Sequence, residues 1–460
     1  MADASQTSRK RGGFLARLLM LLTLSFAMVV QPAMAQSILR DAETEAFFRD
    51  MSRPLKEAAG LRPDNVQIVL LHSDDINAFV AGGQVVYVYS GLITAAESAN
   101  EVQGVIAHEL GHITGGHVVH FGDNMKVASS ITLLTLLLGA AALAAGAGDA
   151  GPGTMAAGQQ AAMTQFLAYS RTQESSTDQA GAKYLSKAGI SGQGSLSFFR
   201  RLQNMEFRLA IPQDNAYART HPLTGQRISV LESMYQKDPA WDTPTDPALE
   251  ARFERIKAKL AGYVLDPKQT LIRYPESDRS VPARYARAYA WHKSAYPDKA
   301  EREIDSLLAE NPDDPYFLEL KGQILLESGK PEQALASLRK AVEIAPREPL
   351  ISALLGHALI ATENADNFEE AKKVLRTAVV RDNSNPFAWY QLGIVYDREG
   401  DHARASLATA ERHNLEGRPK LALASAEQAM QGIPQGTPDW IRAQDIAMVS
   451  RTAVEKEKND

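Results

Sequence analysis

Residues 101–117, EVQGVIAHELGHITGGH, determine which class of protein this sequence encodes. Within them, His108 and His112 lie one helical turn apart on the same face, and another face carries the apolar residues Val102, Ile106, Leu110 and Ile113. This spacing predicts a helix over residues 95–113 whose apolar face packs in a core. Such a helix would hold the two imidazoles side by side.

The five residues from His108 to His112 also match the pattern H-E-x-x-H. In that pattern two histidines bind zinc and the glutamate, here Glu109, activates the attacking water. A catalytic zinc ion takes three protein ligands. A histidine ten positions after His108 would complete one known pattern, but Val118 stands there and His117 falls one residue short. We therefore expect His117 to lie at the helix end or beside a ligand, without binding metal.

The better candidate for the third ligand lies in residues 169–185, YSRTQESSTDQAGAKYL, where Glu174 and Asp178 are one helical turn apart. A glutamate from a second helix would complete a set of two histidines and one glutamate. Asp178 could then accept the free N–H of a ligand histidine and fix its tautomer. On the residues alone, an ordinary solvated acidic helix face is the alternative.

Composition and charge exclude several classes of protein. The 460 residues include no cysteine, so any metal site must be built from histidine and carboxylate side chains. The formal net charge of -6, with dispersed basic residues, argues against nucleic acid as a partner. Residues 1–35 run from a basic stretch through an apolar core to Ala33-Met34-Ala35, which predicts a cleaved signal peptide. An uncleaved membrane anchor is the alternative.

A second apolar stretch, residues 127–148, contains no charged residue and is long enough to cross a bilayer. Its alanine- and glycine-rich half inserts more weakly than leucine or phenylalanine would. We expect a buried or partly exposed helix over the active site rather than a membrane span. Peripheral contact with a membrane through these residues is the alternative.

The sequence changes character near residue 281, where features begin to recur every 34 residues. Pro312 and Pro346 are separated by this interval, and so are Gly322 and Gly356. It is the period of the tetratricopeptide repeat, a helix pair that must stack on its neighbours to bury its apolar face. We expect units from residues 281, 315, 349 and 386 with a partial fifth at 416–430. An ordinary helical bundle is the alternative.

These signals divide the chain into five segments. They are a signal peptide at 1–35, a metal-binding domain at 36–262, a linker at 263–280, the repeat array at 281–435 and a tail at 436–460. Within the second segment, residues 66–73 and 82–91 are rich in Val, Ile and Tyr and predict strands. The expected fold is mainly α, of the α+β type, with a small β-sheet followed by an α-solenoid.

Four segments carry a family resemblance: residues 76–93, 101–117, 170–181 (SRTQESSTDQAG) and 220–228 (THPLTGQRI). They resemble the M48 family of zinc metallopeptidases, in particular its periplasmic β-barrel assembly-enhancing type with C-terminal tetratricopeptide repeats. The resemblance implies a gluzincin-type domain with one Zn²⁺ ion per chain, held by His108, His112 and Glu174, and Glu109 as general base. Alanine is common in that family where Thr177 stands here, which affects packing rather than ligation.

The same resemblance assigns roles to residues outside the motif. His221 lies in a His-Pro segment that approaches the metal in similar proteins, where it would stabilise the oxyanion or occupy the open zinc position in a resting state. Asp178 would contact a ligand histidine, and Arg227 would be an electrostatic partner near His221. Asn77 and Ala78 match a segment that offers a strand edge to an extended substrate, although a plain turn fits these residues equally well.

We therefore expect a periplasmic zinc endopeptidase that degrades misfolded or misassembled envelope proteins and assists outer-membrane β-barrel assembly. The repeat array would dock substrates or partners. These would include unfolded envelope polypeptides and, as a candidate, the outer-membrane β-barrel assembly machinery. In the alternative, the protein is a chaperone or scaffold whose protease site is normally latent.

Overall fold

The computed structural model describes residues 38–117, 170–209, 221 and 225–459, and most of them are helical. The strands in these ranges are β1 (Ile38–Leu39), β2 (Gln67–Leu71), β3 (Ala78–Ala81) and β4 (Val85–Tyr89). The helices before the repeats are α1 (Ala42–Ala58), α2 (Ser90–Ala95), α3 (Ala99–Thr114), α4 (170–187), α5 (Gln193–Leu209), α6 (Gly225–Tyr235), α7 (Pro247–Val264) and α8 (Pro267–Arg273).

Two of the sequence predictions fall outside these ranges, namely the signal peptide at 1–35 and the apolar stretch at 127–148. Among the helices that the structure does describe, none is both long and apolar enough to span a bilayer.

The strands form a mixed sheet in the order β1-β2-β4-β3. β2 and β4 pair in parallel, from Gln67 with Val85 to Leu71 with Tyr89, and confirm the two predicted strands in slightly shorter form. β1 and β3, which the sequence analysis did not assign, pair antiparallel with β2 and β4. β3 has only four residues and follows an Asp-rich turn, so it gave too short an apolar pattern to be recognised. It lies at an edge of the sheet.

Helix α3 is the central element of the N-terminal domain. Its residues from Ala99 to His112 are all buried, and its apolar side chains join one core with the sheet, α1, α5 and α7. The helix begins at Ala99 rather than at residue 95, because Ser98 caps it by accepting a hydrogen bond from the Glu101 N–H at 3.3 Å. The predicted helix is thus confirmed with a later start, and both motif histidines lie in its last two turns.

The predicted repeat array is confirmed as consecutive helix pairs. The first helices of the pairs begin at Val281, Pro315, Pro349 and Pro386, in agreement with the predicted units. The pairs are α9 (Val281–Lys293) with α10 (Pro297–Glu310), α11 (Pro315–Glu327) with α12 (Pro331–Ile344), α13 (Pro349–Ala361) with α14 (Phe368–Arg381), and α15 (Pro386–Arg398) with α16 (His402–Leu415). A fifth pair is α17 (Pro419–Gly432) with α18 (Pro438–Asn459).

Residues 436–460 are therefore not a separate tail. Helix α18 covers Pro438–Asn459, and Ala443, Ile446 and Ala447 pack in one apolar cluster with alanines of α17. The prediction was wrong because this segment is rich in polar residues. Its few apolar residues form a face that can be recognised only from its packing on α17.

The predicted linker at 263–280 is also corrected. Helix α7 continues to Val264, α8 follows, and Thr270 is fully buried, so the N-terminal domain and the array join without a flexible spacer. Charged groups connect them: the Lys259 ammonium lies 3.2 Å from a Glu43 carboxylate oxygen, which also accepts a hydrogen bond from the Tyr285 hydroxyl at 2.9 Å. Arg255 of α7 pairs with Asp314, the cap of α11. Residues from Ile38 onwards form one unit.

Candidate metal centre

The two motif histidines point the same ring nitrogen at each other. His108 and His112 come from successive turns of α3, and their Nε2 atoms are 3.2 Å apart. Both side chains are buried, with 3% and 9% of their surfaces exposed. The interior position removes the imidazoles from water and leaves their Nε2 atoms available to a common partner.

Glu174 approaches this pair from α4. Its Oε2 lies 3.3 Å from His108 Nε2, and its Oε1 lies 3.4 Å from His112 Nε2. The approach depends on Gly111, because a Cβ at that position would lie 2.9 Å from the Thr177 carbonyl oxygen. The glycine inside the motif therefore allows α4 to pack closely enough on α3 to bring a carboxylate to the histidines.

His221 contributes a fourth donor atom. Its Nδ1 lies 3.3 Å from His108 Nε2 and 3.2 Å from both carboxylate oxygens of Glu174. Its Nε2 lies 3.2 Å from the carbonyl oxygen of Ala78, which can only accept. The proton of a neutral His221 therefore belongs on Nε2, and Nδ1 presents its lone pair to the group.

The four donor atoms have the spacing of ligands around one metal ion. Tetrahedral ligands at zinc–nitrogen bond lengths are separated by about 3.3 Å. His108 Nε2 lies 3.2 to 3.3 Å from His112 Nε2, His221 Nδ1 and Glu174 Oε2, and one atom from each of the four residues lies within 4.8 Å of the others. Lone pairs and a carboxylate packed this closely require a cation between them or protons on the donors. Within the described ranges, His108, His112, Glu174 and His221 are the one histidine and carboxylate group with this arrangement.

Asp178 and Arg227 hold the group from behind. The Asp178 Oδ1 lies 3.0 Å from His108 Nδ1, so this carboxylate accepts the outer N–H of His108 and leaves its Nε2 to face the other donors. Arg227 donates from its Nε to Asp178 at 2.7 Å, and its Nη1 lies 3.1 Å from Glu174 Oε2. Asp178 thus contacts His108, the histidine that the sequence analysis expects to bind metal, and Arg227 joins two carboxylates.

The ionisation of the buried groups follows from these contacts. Burial lowers the pKa of His108, but Asp178 and Glu174 outweigh burial and raise that pKa to about 10. Burial also opposes charge on Glu174, yet His221 and the hydrogen bonds from His108 and His112 bring the pKa of this carboxyl well below its usual range. For His112, burial is the main cause and lowers the pKa. In the metal-free group, His108 therefore keeps a proton that a bound cation would replace.

Glu109 lies beside the group without joining it. It is fully buried, and neither of its carboxylate oxygens accepts a hydrogen bond from a described residue. Its nearest ionisable contact is His221 Nε2, at 3.5 Å from Oε1. A buried carboxylate with unused acceptor capacity next to a metal-binding group is the arrangement that a general base requires.

Asn77 and Ala78 lie at the open edge of the sheet. Ala78 is the first residue of β3, so the plain turn is wrong for this residue. The carbonyl oxygen of Asn77 accepts from the N–H of Tyr89 in β4 at 3.0 Å, whereas that of Ala78 points away from β4 to His221. The strand edge and the four donor atoms are thus adjacent.

His117 is not one of the four donors. Its Nδ1 lies 3.0 Å from Nδ1 of His112, the nitrogen opposite the one that faces Glu174, and 3.1 Å from the hydroxyl oxygen of Thr177. The sequence analysis placed His117 at the helix end or beside a ligand, but it did not find the contact with Thr177. A pair separated by 60 positions leaves no periodic signal in the sequence.

Comparisons with known proteins agree with this geometry. Residues 38–235 match the model of peptidase family M48, and residues 285–349 and 358–419 match a tetratricopeptide repeat model. The beta-barrel assembly-enhancing protease of Yersinia pestis is 24% identical over 81% of this chain and 76% of its own length. The protein of that name in Escherichia coli (strain K12) is 22% identical over 80% and 75%.

Another relative matches a smaller share of the chain. The metalloprotease LoiP of Escherichia coli (strain K12) is 31% identical over 38% of this chain and 65% of its own length. The described donor atoms lie inside the region of the peptidase match, and the repeat match covers most of the first four helix pairs. The chain is therefore a metalloprotease with a peptidase family M48 domain followed by tetratricopeptide repeats.

Proposed function

We propose that this protein is a zinc-dependent endopeptidase of the periplasm that degrades misfolded or misassembled envelope proteins and assists outer-membrane β-barrel assembly. The single observation that carries the chemistry is the meeting of four buried donor atoms beside the carboxylate of Glu109. Nitrogen and carboxylate ligands at tetrahedral spacing suit zinc. We assign His108, His112 and Glu174 as ligands of one ion per chain.

Glu109 performs the proton transfers in this proposal. When bound, a zinc ion supplies Lewis acidity that polarises a peptide carbonyl and makes the attacking water more acidic. Glu109 takes the proton from that water and passes it to the leaving amine. Asp178 and Arg227 keep His108 and Glu174 in place, because each contacts one of these ligands directly.

The edge of β3 offers a place for an extended substrate. A polypeptide added along β3 would lie beside the metal group, because the carbonyl oxygen of Ala78 in this strand contacts His221. This mode suits unfolded segments, since only an extended chain can add as a strand. The repeat array would dock envelope polypeptides or the outer-membrane β-barrel assembly machinery, and the names of the relatives support a role in β-barrel assembly.

Export and membrane contact belong to the same proposal. The sequence of residues 1–35 supports a signal peptide, and residues 127–148 supply an apolar stretch for peripheral contact with a membrane. Retention of purified protein on lipid vesicles, and loss of retention when charges are placed in 127–148, would support that contact. Protein that remains in solution with vesicles would count against it.

The test of the catalytic proposal is the substitution Glu109→Gln. The variant should bind zinc as the wild type does, because Glu109 is not a donor, and should lose cleavage of an unfolded polypeptide by about 100-fold or more. A matched control is Glu332→Gln, an exposed glutamate of α12, which should cleave normally. Undiminished cleavage by Glu109→Gln would refute the assignment.

One observation favours a second candidate, a chaperone or scaffold with a latent protease site. His221 Nδ1 lies 3.3 Å from His108 Nε2 and 3.2 Å from Glu174, where it would fill the position that a catalytic zinc site otherwise keeps open. In cells that lack the gene, a scaffold's effect on envelope assembly would be restored by the Glu109→Gln protein. A protease's effect would be restored only by the wild type.

A further inference from the structure

The last turn of α3 brings a third imidazole against a ligand histidine. After Thr114 the chain reverses through Gly116, whose φ of 64° is in the left-handed region that favours glycine. His117 follows directly, and its ring meets that of His112 edge to face, with centroids 5.1 Å apart. The turn therefore places the His117 ring against His112 of α3.

The neighbouring glycine provides the space for this ring. A Cβ at position 115 would lie 2.5 Å from His117 Nε2 and 2.8 Å from its Cε1. Any other side chain at Gly115 would displace the imidazole. The sequence Gly115-Gly116-His117 thus supplies a turn, an empty volume and the ring that fills it.

The contact between the rings has a definite direction when a metal is bound. His112 uses the lone pair of Nε2 towards the donor group, so its proton lies on Nδ1 and donates to Nδ1 of His117 at 3.0 Å. His108 has the same arrangement with Asp178 as its acceptor. Each of the two helix ligands is therefore oriented by a separate acceptor.

Thr177 ties this acceptor to the second helix. Its hydroxyl oxygen is 3.1 Å from Nδ1 of His117 and its side chain is almost completely buried, so the Thr177 O–H donates to the same Nδ1 lone pair that accepts from His112. Thr177 lies one turn after Glu174 on α4, so the helix that carries the third ligand also holds the group that orients the second.

We propose that His117 is a positioning residue for the metal ligand His112, that Thr177 holds it in place, and that the pair sets the affinity of the site for metal. This inference rests on the proposed zinc site. Acceptors that orient ligand histidines are typically worth about 10- to 100-fold in metal affinity. The effect acts through His112, since His117 itself does not reach the donor group.

The test measures zinc affinity of the metal-free full-length protein by competition with a chromophoric chelator. His117→Ala should bind zinc about 10- to 100-fold more weakly. His117→Gln should recover part of that loss, because its amide oxygen can accept a hydrogen bond from the Nδ1–H of His112. Thr177→Val, which keeps the shape but lacks the hydroxyl, should show a smaller loss in the same direction. The control is His402→Ala, an exposed histidine of the array, which should match the wild type.

A second readout separates positioning from general stability. Cobalt(II) at saturation reports the geometry of its ligands in its visible absorption, and the His117→Ala spectrum should differ from the wild type whereas thermal midpoints of the metal-free forms agree. Wild-type zinc affinity in both His117→Ala and Thr177→Val would overturn the inference. So would equal losses in the Ala and Gln variants with an unchanged cobalt spectrum. A wild type that binds no zinc would instead refute the proposed function.

Discussion

His108 Nδ1 and Asp178 Oδ1 lie 3.0 Å apart, although 70 positions separate the residues in the chain. The carboxylate accepts the outer N–H of the imidazole, and Arg227 keeps that carboxylate charged and in place at 2.7 Å. Burial raises the pKa of Asp178, but Arg227 and His108 more than offset it and lower the pKa. This contact prepares the Nε2 lone pair of His108 for a metal.

Substitution of Asp178 should therefore act on metal binding without removing a ligand. In Asp178→Asn the amide can present its N–H₂ to His108 and disfavour the required tautomer, so we expect about 10- to 100-fold weaker zinc binding. Chelator competition measures the change. Asp64→Asn, an exposed aspartate near β2, is the control. Equal zinc affinity of Asp178→Asn and wild type would show that this contact does not orient the ligand.

Substitution of His221 distinguishes a closed site from an open one. His221→Ala leaves three assigned ligands and frees the fourth position, so zinc content should persist and cleavage of an unfolded substrate should rise. A rise of about tenfold corresponds to a wild type that is in the closed arrangement about nine-tenths of the time. Initial rates at matched zinc content measure this. A fall in rate with zinc retained would instead assign His221 a direct part in the reaction, as oxyanion stabilisation requires.

Enlargement of Gly111 should separate the two helices that form the site. In Gly111→Ala the new Cβ meets the Thr177 carbonyl at 2.9 Å, and we expect a loss of about 1 to 3 kcal/mol in the free energy of unfolding together with weaker zinc binding. Gly393→Ala is the matched control, because its Cβ would have an ordinary 3.5 Å contact with Ala408. A helical alanine there should be neutral or stabilise by about 0.5 to 1 kcal/mol. Urea unfolding compares them, and equal stability of the two variants would contradict close packing at Gly111.

Glu319 of α11 predicts a pH dependence of stability. Burial, with help from Asp41, Glu43 and Glu348, raises the pKa of Glu319 to about 8 from 4.5, against the opposing charge of Lys259. The folded protein thus keeps a proton that the unfolded chain releases, so this group contributes stability below pH 4.5 that is lost as pH rises through 8.

The variant Glu319→Gln lacks this titration. The free energy of unfolding of the variant minus that of the wild type should be about 1 to 3 kcal/mol higher at pH 8.5 than at pH 5. Urea unfolding at both pH values measures the difference, with Glu332→Gln as the exposed control. A gap between variant and wild type that is the same at both pH values would contradict the raised pKa.

The parts of the fold that follow from local patterns were predicted. Helix α3 and the repeat units have apolar periods and prolines that can be read within a few turns, and the structure confirms them. The linker at 263–280 and the tail at 436–460 were wrong, because their packing depends on partners elsewhere. Ala443 and Ile446 of the supposed tail, for example, pack against alanines of α17.

The same distinction holds at the site. The motif indicated His108, Glu109 and His112, and the structure brings Glu174 and His221 to them. Spacing alone could not give the distance of His221 from the donors, because one histidine before a proline has no period. The contacts of His117 with His112 and Thr177 could not be predicted from the sequence either, because they form where α3 packs against α4.

The zinc content of purified wild type beside Glu174→Ala tests the central claim most directly. Elemental analysis after dialysis against limiting free zinc should give about one ion per wild-type chain and a small fraction of that in Glu174→Ala, because the carboxylate supplies a ligand that no other described residue replaces. Circular dichroism of both proteins establishes that the variant is folded. Full zinc content in the variant, or none in the wild type, would contradict the assigned site.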